Sequence, residues 1–150
     1  MGNTRRDKEY LGVDTNVLVA FLDKQHPDHP EAKRLENSPD TATNPTVIHE
    51  AYHTLVYAQR WNRKEAMDTL NDYLDLDTTL FLNQTKTITK LGLSIGSEYG
   101  LNLGGRDCLI LASFLSNTIA RMVTFDRALL DLGELSIDEQ VIRIILPKDV

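Results

Sequence analysis

"YLGVDTNVLVAFLDK", residues 10–24, changes its periodicity at a single acid. Tyr10 to Val13 read as a short buried strand. The apolar residues at 17, 18, 21 and 22 then recur at helical spacing, so Asp14 closes a strand and opens a helix. The same grammar returns further on. "DTATN" (40–44) is a β-prone run stopped by Asn44 and Pro45, a good helix cap followed by a good first helical residue, and a helix is expected from 45 to about 59. "HPDHP" (26–30) is a Pro-broken connector before it, and "EAKRLEN" (31–37) a short polar helix.

Downstream, "KEAMDTLNDYLDL" (64–76) has helical periodicity and "TTLFLN" (78–83) is a threonine-rich strand. "TITKLGLSIGSEYG" reads as a helix ending at Gly100, "LNLGG" as a loop, and "RDCLILASFLS" as a helix opening near Arg106. "ARMVTFD" is a strand ending in Asp126, "RALLDLG" a short turn of helix, and "VIRIILP" a last strand. Strands alternating with helices imply a mostly parallel sheet covered on both faces, with right-handed crossovers. The expected fold is α/β, a three-layer α/β/α sandwich around about five strands. A chain of 150 residues, 41% hydrophobic and 25% charged, fits one domain spanning 1–150.

The formal charge of -6 argues against a protein that coats nucleic acid electrostatically, because Lys and Arg supply that binding. It leaves room for a nucleic-acid enzyme whose acids hold the cations that neutralise phosphate. One cysteine, Cys108, forbids an internal disulfide and fits a reducing compartment. The apolar run "CLILASFL" (108–115) is too short to span a bilayer, and "MGNTRR" has Arg6 where a myristoylation signal wants Ser or Thr. The expectation is a cytoplasmic protein without a membrane partner.

Within "VIHEAYHTLV" (47–56), His49, Glu50 and His53 form H-E-x-x-H, the spacing of a zinc-hydrolase helix. On a helical wheel Val47, Ile48, Ala51, Tyr52, Leu55 and Val56 share the apolar arc, and both histidines fall outside it. The longer zinc-protease motif needs a glycine and a third histidine next, whereas this chain continues "TLVYAQ". Asp72 or Asp75 could substitute as a third ligand, but with Asp68 they form a helix-spaced stripe, usually a solvated face.

Glu50 has other candidate partners. In an open parallel sheet, ligands bind beyond the carboxyl ends of the strands where strand order reverses. Asp14 and Asp126 both close strands, so if the first and fourth strands are neighbours their carboxylates converge. Glu50, one and a half turns into its helix, and Asp107, in the first turn of another, can point to the same place. Each acid alone is readily a turn, cap or surface residue. Together they repel unless a cation lies between them, and all-oxygen donors suit Mg²⁺ or Mn²⁺ rather than zinc.

"VDTNVLVAFL", "HEAYHTL" after "NPTVI", "GGRDCLILAS" and "VTFDRAL" resemble, in that order, the PIN-domain nucleases, in particular VapC-type toxin ribonucleases. The likeness runs from about residue 10 to 147. It implies an α/β/α fold, metal-dependent hydrolysis of RNA, an antitoxin partner and a homodimer. The family's acidic site falls on Asp14, Glu50, Asp107 and Asp126, with Asn16 and Thr124 as polar supports. Cys108 stands where the pattern more often has alanine. Two other classes compete, namely a zinc peptidase using His49, Glu50 and His53, and a PIN-like interaction domain without catalysis. A dehalogenase-type phosphatase would need a second Asp where this chain has Asn16. Arg106 and Arg127, each beside a site acid, could meet substrate phosphates, and "QRWNRK" (59–64) could stack a base on Trp61.

Overall fold

The computed structural model describes residues 8–100 and 102–150. Residues 1–6, read above for a lipid-anchoring signal, lie outside them, as does Leu101 of the expected loop. Strand β1 (Tyr10–Val13) is followed by helix α1 (Thr15–Leu22), with Asp14 as the cap. Pro30 sits in the first turn of α2 (His29–Ala32), and the chain then tightens into a 3-10 turn over Lys33–Asn37, so "EAKRLEN" is not one regular helix. Strand β2 (Asp40–Thr43) stops at Asn44, whose side chain accepts from the Val47 amide at 3.0 Å and starts α3 (Pro45–Tyr57).

Asn62 caps α4 (Arg63–Leu74), which returns the chain to β3 (Thr79–Phe81). Thr85 caps α5 (Lys86–Tyr99), and α6 (Gly105–Ser116) packs along it. Strand β4 (Arg121–Val123) leads to Asp126, the cap of α7 (Arg127–Leu132). A hairpin of β5 (Glu134–Ile137) and β6 (Gln140–Ile145) and a 3-10 turn at Pro147–Asp149 complete the described chain. Most helices thus begin where an Asp, Asn or Thr side chain can take an otherwise unpaired amide.

These strands form one sheet in the order β3-β2-β1-β4-β6-β5. Every pairing is parallel except that of β5 with β6. Strand order therefore reverses between β1 and β4, where Val13 lies opposite Val123. β1 is buried on both faces. Leu11 and Val13 are fully buried, and the intervening Gly12 faces α6, where an added Cβ would lie 2.8 Å from Phe114 Cδ2. A glycine in the central strand lets that aromatic ring rest directly on the backbone.

The sheet has six strands, not about five, and the additional one is β5. It joins β6 through a two-residue turn, Asp138 and Glu139, with φ of 48° and 70°. Such turns are normally advertised by Asn-Gly or Asp-Gly. Here a glutamate occupies the left-handed position, so the turn carries no glycine signal.

Two outcomes follow from this backbone geometry. Gly12→Ala should lower stability by roughly 1–3 kcal/mol, the range for overpacking a filled core; equal denaturation midpoints for variant and parent would contradict the Phe114 contact. Glu139→Gly should raise stability by about 0.5–1 kcal/mol, because glycine takes a positive φ without the Cβ penalty. A lower midpoint in that variant would show that the turn is not strained at Glu139.

Candidate active site

Asp14 is only 4% exposed, at the carboxyl end of the central strand. Its amide donates to Val123 O at 3.0 Å across the β1–β4 seam. One carboxylate oxygen accepts from the Thr15 amide at 2.8 Å, and the other accepts from Thr124 Oγ1 at 2.7 Å. That hydroxyl also accepts, from the Asp126 amide at 2.9 Å and from Asn16 Nδ2 at 3.4 Å. Asn16 Oδ1 in turn accepts from the Phe125 amide at 3.1 Å. Thr124 thus ties the two strand-end acids together through one buried oxygen.

Asp126 uses Oδ1 to accept from the Ala128 and Leu129 amides at 2.8 and 3.3 Å, which fixes its rotamer at the start of α7. Glu50 and Asp107 approach from α3 and α6. Burial and then the opposing pull of Thr124 and Thr15 dominate Asp14, and the charges of Asp107 and Glu50 add to the burial effect. The net result pushes its pKa up to about 6. Burial also raises Glu50, with the Arg106 guanidinium opposing and Asp107 reinforcing. Asp107 is raised by burial and then by Asp126, against the Gly104 amide and Arg106. Asp107 thus lies within electrostatic range of Asp14, Glu50 and Asp126, and Glu50 within range of Asp14.

Their donor chemistry fits a hard cation. The set is all oxygen, and Glu50 Oε1 is buried without any hydrogen-bond partner, an atom that a cation or its water would satisfy. Among the described residues, no three His, Cys, Asp or Glu side chains are gathered as a ready-made metal cage.

The H-E-x-x-H residues diverge. Glu50 faces the other acids, while His49 borders the α3–α4 groove beside Arg63, Lys64 and Met67. His53 is exposed and stacks on Tyr57 with ring centroids 4.6 Å apart. Arg127 is exposed beside Asp126, as expected for a phosphate contact or a surface residue. Trp61 packs on the core at the far end of α3, in a cavity shared with Leu22, Asp23 and Lys24. It lies at the opposite end of that helix from the cleft. The ion pair between Arg106 and Glu50, at 3.9 Å, was not anticipated; the only sequence signal was an arginine preceding a first-turn acid.

The PIN domain family matches residues 12–135. The chain belongs to the PIN domain family, whose members are nucleases. No curated protein matches it. Among solved structures it is similar to Mycobacterium tuberculosis VapC20, described as a toxin cleaving the sarcin-ricin loop. The TM-score is 0.71 at 18% identity, covering 85% of this chain and 98% of that one. It is also similar to a toxin–antitoxin complex from Klebsiella pneumoniae (TM-score 0.62, 20% identity, 93% and 98% covered). A third is VapBC2 from Rickettsia felis bound to a promoter DNA fragment (0.61, 17%, 90% and 98%). At these identities the likeness establishes a shared fold.

The buried acid generates a pH signature. A carboxyl whose pKa is raised on folding binds its proton more tightly folded than unfolded. Its penalty is therefore absent at low pH, grows as pH rises from 3.8, and is complete above about 6. In chelator, the melting temperature should rise by a few degrees as pH falls from neutrality toward 5, with Glu50 and Asp107 acting in the same direction. Asp14→Asn should flatten that slope. Equal slopes in thermal melts of parent and variant would show that Asp14 does not carry the effect.

Proposed function

We propose that this protein is a Mg²⁺- or Mn²⁺-dependent endoribonuclease that hydrolyses RNA phosphodiester bonds, and that it is the toxin of a toxin–antitoxin pair. Membership of a nuclease family supports the reaction class, and the likeness to VapC20 and to two toxin–antitoxin complexes supports the biological role. The observation that carries the reading is the Thr124 hydroxyl joining Asp14 to Asp126 where strand order reverses, with Glu50 and Asp107 in electrostatic range.

In this reading Asp14 and Asp107 are direct ligands of the cation. Glu50 and Asp126 hold it through water or orient the attacking water. A divalent cation bound there supplies Lewis-acid polarisation of the scissile phosphate, a lowered pKa for water and charge stabilisation at the leaving oxygen. Thr124 and Asn16 keep Asp14 from rotating away, so the geometry is set before substrate arrives. Arg106 and Arg127 offer guanidinium groups to RNA phosphates at the cleft edge. An antitoxin protein is the proposed partner, a homodimer the proposed assembly and the cytoplasm the proposed location. Separately, none of the described helices is long and apolar enough to cross a membrane.

The test is RNA cleavage by purified protein with Mg²⁺ or Mn²⁺, with chelator, and in four variants. Asp14→Asn and Asp107→Asn should abolish cleavage while the fold survives, and Glu50→Gln should lose most of it. His53→Ala should stay within a few-fold of the parent, because its ring faces Tyr57 rather than the cleft. Full cleavage in excess chelator would refute the mechanism. Stoichiometric zinc that disappears in His53→Ala, together with loss of a protease activity, would establish the H-E-x-x-H site instead.

A further inference from the structure

Arg106 occupies the second position of α6, directly before Asp107, and extends toward α3. Its Nη1 lies 3.9 Å from Glu50 Oε2, too far for a hydrogen bond, so the contact is one of charge. The Arg106 side chain is 76% exposed and that of Glu50 only 26%. An arginine so placed is free to leave, whereas the carboxylate is held in the cleft. Among the described residues, Arg106 is the cation whose field opposes the mutual repulsion of the cleft acids, acting on both Glu50 and Asp107. Meanwhile the other Glu50 oxygen, Oε1, is buried and unpaired. Glu50 is therefore neutralised on one side and unsatisfied on the other.

We propose that Arg106 is a resident counter-ion of the cleft: it neutralises Glu50 while the site holds no divalent cation and competes with that cation for the same carboxylate. This rests on the reading of the four acids as a metal site. The competition is built to be lost. A divalent ion brings twice the charge and satisfies buried oxygens that an exposed guanidinium cannot reach, while the arginine gains full hydration on leaving. Arg106 thus sets the cation concentration at which the site fills, and its guanidinium is released toward the cleft mouth in the same event.

Mn²⁺ affinity, measured without RNA by calorimetry or by the electron paramagnetic resonance of free Mn²⁺, tests this in the full chain. Arg106→Gln should bind Mn²⁺ about two- to five-fold more tightly than the parent, the span expected for losing one exposed ion pair. Its metal-free form should melt below the parent's and recover more on Mn²⁺ addition. Arg106→Lys, which keeps the charge, should resemble the parent. Unchanged or weaker Mn²⁺ binding in Arg106→Gln overturns the proposal while leaving the metal site intact. A parent that binds no Mn²⁺ in the millimolar range, or whose binding survives Asp14→Asn, overturns the metal-site reading and this inference with it.

Discussion

One hydroxyl organises the cleft. Thr124 Oγ1 has a single proton to give and gives it to Asp14, so its lone pairs are left for the Asp126 amide and Asn16. That polarity follows from Asp14 being an acceptor. The backbone amide of Thr124 meanwhile donates to Ile145 O at 3.0 Å, which locks Thr124 to β6 as well. Three strands and two helix starts therefore meet at one residue buried from solvent. An aliphatic side chain of the same shape would leave a buried carboxylate and a backbone amide unpaired together, a heavier penalty than the loss of one ordinary hydrogen bond.

The acidity of the chain and its proposed attraction to RNA are reconciled at this place. An excess of six negative charges repels a polyanion at long range, yet the cleft concentrates acids where burial already disfavours their charge. In the proposed function, a bound cation would relieve both problems at once, by pairing the acids and by presenting positive charge to phosphate. The exposed arginines beside Asp107 and Asp126 then extend that positive edge outward.

Much of this was legible because the chain punctuates itself. Asp14, Asn44 and Asp126 each mark a helix start by the same side-chain acceptor chemistry, and each was visible as a polar residue closing a β-prone run. The convergence of Asp14 and Asp126 was conditional on β1 and β4 being neighbours, and the sheet order makes them so. Strand β5 was missed because its turn places Glu139 where glycine usually gives the signal. The Arg106–Glu50 pair was missed for a different reason. It joins two helices 56 residues apart through a long flexible side chain, and no periodicity in either helix encodes where such a chain will rest.

The seam between β1 and β4 also bears on when this protein can act. Asp14 meets Thr124 across a sequence separation of 110 residues, so the cleft cannot exist on a partial chain that ends before β4. Domains acquire their N-terminal segments first during synthesis, and here those segments contain Asp14 and Glu50 but neither of their later partners. A growing polypeptide still attached to the ribosome thus carries two scattered acids and no site. For the proposed ribonuclease, this order of assembly withholds the site from the growing chain until β4 and Thr124 have emerged.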